Sequence, residues 1–307
     1  VFQGVFQTVL ILLFFFVIPQ NFLINIGLNE KVSYPFFANV IAALSGILLL
    51  SPIIFKVRFY FEWSLFKKMF HYAYPVMLAG LAFVTNENLD NLLLRDMIDE
   101  AEAGAYAGCY KIATLMILMV TAYRMGIEPF FFKKAMETDA KKTYADVMLY
   151  FVIFCGFAVV ALMANLDWIK KLLIRNEDYW VALQIVPIVA IANLFFGVYY
   201  NLSTWYKVTD KTYVGTAISW IGSGLTIAFN IIFIPIIGFM ASAWATLLAY
   251  GTMMVVSYFW GQKYYRIPYK IRKIGFYMGL SIGFAATNYY LFNSSIIIGN
   301  ILLLIYI

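Results

Sequence analysis

The chain has 307 residues, of which 64% are hydrophobic, 19% aromatic and only 12% charged. Soluble domains carry about 25% charged residues, so this composition excludes an ordinary soluble fold and indicates that lipid covers much of the surface. The net charge is +6. An excess of this kind typically anchors the cytoplasmic connections of a membrane protein. Because no basic run lies on a soluble module, nothing in the sequence indicates a nucleic-acid partner.

Ten stretches, taken in chain order, are predicted to span a membrane, because each holds most of the ~20 apolar residues that a spanning helix needs. They are residues 5–26, 34–55, 71–94, 104–127, 146–166, 181–205, 213–236, 238–260, 273–292 and 295–307. Spanning strands would alternate in polarity over about ten residues, which no segment does. We therefore predict an all-α, polytopic integral membrane helical bundle with about ten spans.

The basic residues follow this map of spans, since sixteen of the 22 lie at every second connection and five lie at the others. The sixteen are Lys56, Arg58, Lys67, Lys68, Arg124, Lys133, Lys134, Lys141, Lys142, Lys207, Lys211, Lys263, Arg266, Lys270, Arg272 and Lys273. Connections rich in Lys and Arg face the cytoplasm, so the first span is predicted to run from inside to outside.

Ionisable residues inside spans are costly and are therefore functional candidates. The third span carries Asn86, Glu87 and Asp90 near its outer end, and the fourth carries Lys111 at a similar expected depth. One interpretation is a polar patch that lines a water-filled cavity, where Lys111 offers its charge to an anion. The alternative is a buried ion pair, or a Lys111 side chain that extends outward to the interface.

Arg124 lies near the inner end of the fourth span and is a second candidate for substrate binding. Glu128 follows it by four residues, which predicts an intrahelical pair at the interface. Arg124 is thirteen residues beyond Lys111, which places it about 140° away around the helix. One straight helix face therefore does not present both cations.

Three passages resemble bacterial polysaccharide (O-antigen type) flippases of the multidrug/oligosaccharidyl-lipid/polysaccharide exporter superfamily. The first is Asp90-Asn-Leu-Leu-Leu-Arg95 followed by Gly104-Ala-Tyr-Ala-Gly-Cys-Tyr-Lys111. The second is Glu128-Pro-Phe-Phe-Phe-Lys-Lys134, and the third is Asn230-Ile-Ile-Phe-Ile-Pro-Ile-Ile-Gly238 with Ala241-Ser-Ala-Trp-Ala-Thr246, in which Ser242 departs from the family pattern.

The resemblance implies a two-lobe transporter of the bacterial cytoplasmic (inner) membrane that flips an oligosaccharide carried on undecaprenyl pyrophosphate, by alternating access. Lys111 matches the family's Tyr-Lys position and would contact the anion. No cofactor is expected, but some superfamily members couple to Na⁺ or H⁺, for which Asp90 and Asn230 are candidates. The expected partners are the lipid-linked oligosaccharide, membrane lipid and other polysaccharide-assembly proteins.

The resemblance also predicts how this fragment divides. Residues 1–56 would end the first lobe, residues 57–262 would form the second six-helix lobe, and residues 263–307 would be truncated trailing helices. Four earlier spans would be missing, in keeping with a sequence that begins and ends within apolar runs.

Three other functions stay open at the level of the sequence. A cation-coupled multidrug exporter of the same superfamily would favour a cavity centred on an acid. A membrane enzyme, such as a polymerase or ligase of polysaccharide assembly, would need a long outer loop with catalytic residues, and a scaffold would not need buried charges. The sequence lacks GxxxxGK[ST], HExxH, GxSxG and CxxC, and its two cysteines have no metal-ligand spacing, so we predict neither a catalytic nor a metal site.

Overall fold

The computed structural model describes residues 2–25, 27–28, 30–56 and 60–306, and these residues are mostly helical and include no strand. They form two compact units, Val1–Phe66 and Lys67–Ile307. The prediction of an all-α polytopic membrane bundle is confirmed.

The first unit contains the helices α1 (Phe2–Phe16), α2 (Gln20–Asn25) and α3 (Ser33–Ile54). The predicted first span is interrupted, because α1 ends at Phe16 and Pro19 precedes α2. Proline lacks the backbone N–H that would continue the helix. Helices α1 and α3 pack against each other around a small core that includes Phe14 and Tyr34.

The second unit contains the remaining helices, apart from the first residues of α4. They are α4 (Trp63–Met97), α5 (Glu100–Lys134), α6 (Ala140–Ala164), α7 (Leu166–Leu173), α8 (Ile185–Leu202), α9 (Thr204–Val208), α10 (Thr212–Ile237), α11 (Met240–Tyr264), α12 (Ile271–Ala286) and α13 (Ile296–Tyr306). A 3₁₀ segment, Glu177–Gln184, leads into α8, and a π-helical turn, Thr287–Leu291, follows α12.

Each predicted span overlaps at least one described helix, although the first span is interrupted. Six of the described helical segments are long and apolar enough to cross a membrane on length and composition alone. Those six are Ser33–Ile54, Glu100–Lys134, Ala140–Ala164, Glu177–Val208, Thr212–Ile237 and Met240–Tyr264. Helix α4 has 35 residues, but polar and charged residues at both ends and in its C-terminal half lower its hydropathy. The protein is thus a multi-pass membrane protein.

Helix α8 is the central element of the second unit, and it packs against α5, α6 and α11. Nearly every side chain of α8 is buried. Close packing depends on Gly197, where an added Cβ would come within 2.3 Å of the Phe151 ring. Helices α12 and α13 both lie against α6. This core holds the polar side chains of α4, α5, α10 and α11 at fixed positions.

Candidate functional site

A buried carboxylate, Asp90, lies where four helices of the second unit meet. The Tyr106 hydroxyl of α5 donates a hydrogen bond to Asp90 Oδ2 at 3.0 Å. Asn230 Nδ2 of α10 donates to Oδ1 at 2.7 Å, and the Thr246 hydroxyl of α11 donates to Oδ2 at 3.3 Å. Asp90 is only 3% exposed, so neutral donors from three other helices replace the water that a carboxylate requires. We call these four residues the Asp90 cage.

The cage continues into a second layer of oxygen-bearing side chains. The Ser242 hydroxyl donates to Asn230 Oδ1 at 3.0 Å. One turn before Asp90, the buried Asn86 side chain accepts a hydrogen bond from the Thr226 hydroxyl through its Oδ1. These contacts fix the orientation of Asn230, whose NH₂ group must point at the carboxylate when its oxygen accepts from Ser242.

A polar seam between α4 and α10 sets the position of the cage. Hydroxyl groups of α10 donate to backbone carbonyls of α4, and the pairs advance together along both chains, so the two helices run parallel. The pairs are Thr212 with Tyr72 at 3.4 Å, Thr216 with Pro75 at 2.5 Å and Ser223 with Ala82 at 2.6 Å. The same register then brings Thr226 to Asn86 and Asn230 to Asp90.

Lys111 lies elsewhere on α5 and does not enter the cage. Its side chain is exposed, on the same helix face as the exposed Leu115 and Leu118. Tyr106, the α5 residue that contacts Asp90, precedes Lys111 by five residues, or about 7.5 Å along the helix. Among the described residues, Lys111 makes neither a hydrogen bond nor an ion pair. It is therefore a cation on an otherwise apolar surface.

Arg124 belongs to a different group of charges, in the C-terminal parts of α5 and α8, the ends predicted to be the inner ones. Arg124 Nε lies 3.5 Å from Glu128 Oε2, which confirms the predicted intrahelical pair. Lys207 of α9 bonds the other oxygen, Oε1, at 2.8 Å. The guanidinium also donates to the Tyr200 hydroxyl and lies 4.6 Å from the centre of that ring. We call Arg124, Glu128, Tyr200 and Lys207 the inner cluster.

The inner cluster borders a cavity of about 340 Å³ inside the second unit. Helices α4, α5, α8, α9, α10 and α11 all contribute to its wall, which is rich in tyrosine and hydroxyl side chains. Asn86 lies at one end of this wall. The cavity therefore extends along the seam from the inner cluster to within one helical turn of Asp90.

The structure brings together only some of the residues that the sequence analysis selected. Asn86, Asp90 and Asn230 belong to one buried network, whereas Lys111 and Arg124 lie on separate parts of α5. Glu87 lies in α4, but its side chain is outside the described residues.

Three residues of these two groups could not be recognised in the sequence, namely Tyr106, Thr246 and Lys207. A signal for the seam was present, because the polar residues of α10 recur at helical spacing on one face. They are Thr212, Thr216, Ser219, Ser223, Thr226 and Asn230. Tyr106 is part of the Gly104–Lys111 passage but carries no charge to single it out, and Lys207 was treated only as an interfacial anchor.

Comparisons with known proteins agree with this architecture at two levels. Residues 37–125 match the model of a family described as "Polysaccharide biosynthesis protein". The matched region contains Asp90, Tyr106, Lys111 and Arg124. A comparison with curated protein sequences gives no match.

The fold is similar to that of a solved membrane flippase. The solved structure "Lipid II flippase MurJ, inward closed conformation" matches with a TM-score of 0.71 and 15% sequence identity. The match covers 99% of this chain and 65% of that chain, so this chain spans just under two thirds of the flippase's length. Both comparisons confirm the resemblance to polysaccharide flippases that the sequence motifs indicated.

Proposed function

We propose that the complete protein is a flippase that moves an oligosaccharide linked to undecaprenyl pyrophosphate across the bacterial cytoplasmic membrane. The observation that carries this proposal is the match of 99% of the chain to the fold of a lipid II flippase. The polysaccharide-biosynthesis model over residues 37–125 supports the same substrate class. In this proposal the protein is a transporter and not an enzyme of polysaccharide assembly, and its partners are the lipid-linked glycan and the proteins that make or polymerise it.

Lys111 would contact the pyrophosphate of the substrate. Its ammonium group is exposed on an apolar helix face and has no partner in the described structure. A cation in that environment is stabilised by an anion that arrives with the lipid. Arg124 is already engaged by Glu128 and Tyr200, so its contribution to the same anion would be weaker.

The Asp90 cage would bind the coupling ion, either Na⁺ or H⁺. Its oxygen atoms belong to a carboxylate, an amide and hydroxyl groups, which are the ligand types that hard cations prefer. A proton on Asp90 would serve equally well, because it neutralises a buried charge. Alternating access would follow if the occupied and empty cages favour different arrangements of α4, α10 and α11.

Complementation tests the proposal. The full-length gene is expressed in a flippase-deficient host beside Lys111→Ala and Lys111→Arg variants at matched membrane abundance, and surface polysaccharide is measured. We expect restoration by the unsubstituted protein, a loss of about tenfold with Ala, equivalent to ~1.4 kcal/mol, and partial rescue with Arg. Leu115→Ala, on the same face, is the matched control and should retain function.

The outcomes separate the proposed roles. If the Lys111→Ala variant restores polysaccharide fully, the flippase function stands but the anion contact does not. If the unsubstituted protein fails in several hosts with different glycans, the substrate assignment is wrong. Export of cationic drugs by the same cells would then support the multidrug exporter of the same superfamily.

A further inference from the structure

We propose that the second unit holds an anionic phospholipid on the surface formed by α6, α11 and α12, with its phosphate at Lys141 and Arg266 and an acyl chain in the apolar groove beside them. The proposal goes beyond the proposed function, because this lipid is a bound ligand of the protein and not the molecule that is transported. It rests on two adjoining cavities of opposite character.

The first cavity lies between the start of α6 and the segment that joins α11 to α12, and it has a volume of about 490 Å³. Its charged lining residues are Lys141 and Arg266, and no carboxylate of the described residues joins them. We call it the basic pocket. Two cations with no acid beside them attract an anion.

The cations of the basic pocket have no acidic partner. Arg266 is exposed and makes neither a hydrogen bond nor an ion pair in the part of the chain that the structure describes. The ammonium group of Lys141 lies 4.5 Å from the centre of the Tyr265 ring, and no described carboxylate pairs with it. The neighbouring Asp146 is already bound by Lys270 at 2.7 Å. Both cations therefore keep N–H donors for the oxygen atoms of a phosphate group.

The surroundings of the basic pocket carry the same sign of charge. The first turn of α6 holds Lys141 and Lys142, where the helix N-terminus is itself partly positive. Residues 263–273 contain no acid and five cations, which are Lys263, Arg266, Lys270, Arg272 and Lys273. These connections are the ones predicted to face the cytoplasm, and basic pockets between spanning helices on that side bind anionic lipid headgroups.

The wall of the basic pocket is held in shape by the protein itself. Gln262 Nε2 donates a hydrogen bond to the backbone carbonyl of Ile267 at 2.8 Å, and the Ile267 side chain is buried. Lys270 ties the same segment to α6 through Asp146. A pocket that is already formed loses little conformational freedom when a ligand binds, which favours binding.

An apolar groove of about 220 Å³ adjoins the basic pocket, and Tyr258, Tyr269 and Ile271 line both cavities. Apart from Gly275, the other residues that line the groove are aliphatic or aromatic side chains or methionines of α6, α8, α11 and α12. Three of them are methionines, whose unbranched side chains adapt to irregular shapes. The groove therefore suits a flexible hydrocarbon chain.

The length of the groove fits part of one acyl chain. On α12 its lining extends from Ile271 to Met278, which is about 10 Å along the helix. One leaflet contributes ~15 Å, half of the hydrocarbon core of a bilayer. A soluble phosphate compound would occupy the basic pocket alone, whereas an anionic phospholipid fills both cavities. The adjoining cavities therefore indicate a phospholipid as the ligand.

This site is separate from the cavity that the inner cluster borders. No described residue lines both that cavity and either part of the phospholipid site. Helix α11 lies between them, since Tyr250 and Met253 line the cavity whereas Met254 and Tyr258 line the groove. A phospholipid in the groove would fill the space between α11 and α12. Because it binds the folded protein, it would raise the unfolding temperature.

The test uses the purified full-length protein in nanodiscs that contain equal amounts of phosphatidylcholine and phosphatidylglycerol. Native mass spectrometry identifies the lipid that stays on the protein after release from the nanodisc. We expect retention of phosphatidylglycerol about tenfold above phosphatidylcholine, and a higher unfolding temperature than in phosphatidylcholine alone. Equal retention of the two lipids would overturn the proposal. Displacement of the lipid by soluble glycerol 1-phosphate would also overturn it, because the groove would then contribute nothing.

Charge substitutions identify the headgroup contact. Lys141→Gln and Arg266→Gln should each weaken retention of phosphatidylglycerol about tenfold, because each removes a charge-assisted contact with the phosphate. Both side chains are exposed, so the substitutions should leave the fold intact. Lys263→Gln removes an equal charge from the same segment but not from the pocket lining, and it should leave retention unchanged. Equal effects of all three variants would reduce the contact to general surface charge and contradict the proposal.

A steric plug tests the acyl-chain contact. Gly275 lines the groove, and a Cβ added there would meet nothing within 4 Å, so Gly275→Leu should fill the groove and abolish selective retention. Gly283 of the same helix has equally open space but does not line the groove, so Gly283→Leu is the matched control and should retain the lipid. Leucine favours a helix more than glycine does, so both variants should fold. Full retention in Gly275→Leu would overturn the proposal.

Discussion

The Asp90 cage and the inner cluster both hold a carboxylate between helices, but they compensate its charge in opposite ways. Hydroxyl and amide groups surround Asp90, which is almost fully buried. Glu128, by contrast, lies between two cations and is 33% exposed. Neutral donors do not cancel the negative charge of Asp90, so a cation or proton can still bind to it reversibly. The charge of Glu128 is already neutralised by its two cationic partners. The contrast supports the proposed binding of a cation or proton at the Asp90 cage.

The largest expected effect comes from neutralising Asp90. Asp90→Asn keeps the shape but places an NH₂ group among donors, and we expect unfolding to become easier by ~3 kcal/mol, since buried hydrogen bonds to charged groups contribute about 1.5–3 kcal/mol each. Thermal unfolding in detergent measures the change. Any dependence of stability on Na⁺ concentration or on pH that arises at the Asp90 cage should be absent in the Asp90→Asn variant.

The matched substitution in the inner cluster should cost much less. Glu128→Gln removes two ion pairs, but the partners are partly hydrated, so we expect a loss of ~1 kcal/mol or less. The same unfolding assay compares it with Asp90→Asn. Equal losses of unfolding free energy in Asp90→Asn and Glu128→Gln would show that the deeper burial of Asp90 has no energetic consequence. That result would contradict the distinction between the two sites.

Within the cage, one donor can be removed without changing charge. Thr246→Val deletes the hydroxyl that bonds Asp90 at 3.3 Å, the longest of the three described contacts. The expected loss is ~1 kcal/mol, together with weaker ion binding. Thr216→Val, on the seam but away from the cage, is the control and should leave ion binding intact. An unchanged ion dependence in Thr246→Val would remove that hydroxyl from the proposed site.

The smallest expected effect concerns an exposed ion pair outside both sites. Lys270 Nζ lies 2.7 Å from Asp146 Oδ1 and joins the segment before α12 to α6. This hydrogen bond raises the pKa of Lys270 above its usual value of 10.5. A raised lysine pKa stabilises the fold below the unfolded value, and the contribution disappears as pH rises through the folded value. The same hydrogen bond lowers the pKa of Asp146, so the contribution also disappears at acid pH as that carboxylate takes up a proton. Melting curves of the unsubstituted protein and Lys270→Ala should therefore differ near neutral pH and converge at strongly alkaline and at acid pH.

Much of the fold could be predicted from the sequence because hydropathy and length decide where a spanning helix forms. The six apolar spans from Ser33–Ile54 to Met240–Tyr264 follow from that rule. The break before α2 shows its limit, because the window 5–26 is mostly apolar and Pro19 decides the local geometry. Helix α4 shows a second limit, because its polar residues lower its hydropathy below that of the six apolar spans. Asp90 of α4 is nevertheless accommodated, since it accepts hydrogen bonds from α5, α10 and α11.

The candidate site could be predicted only in part. The sequence selected Asn86, Asp90 and Asn230, because amide and carboxylate groups are costly in an apolar helix wherever it packs. It could not select Tyr106 or Thr246, since hydroxyl residues are common in spans and become significant only when they face a buried charge. The spacing did predict the pair of Arg124 with Glu128, but it could not predict that Tyr200 also contacts Arg124 or that Lys111 has no partner among the described residues.

By itself, the sequence determined that this protein lies in a membrane and where its helices run, because both depend on properties summed along the chain. Only the tertiary structure decided that Asp90 faces donors from three other helices and that Lys207 joins Arg124 at a cavity. Those contacts join residues as many as 156 positions apart. They depend on how each helix is rotated against its neighbours, which close packing at residues such as Gly197 fixes and which no local pattern encodes.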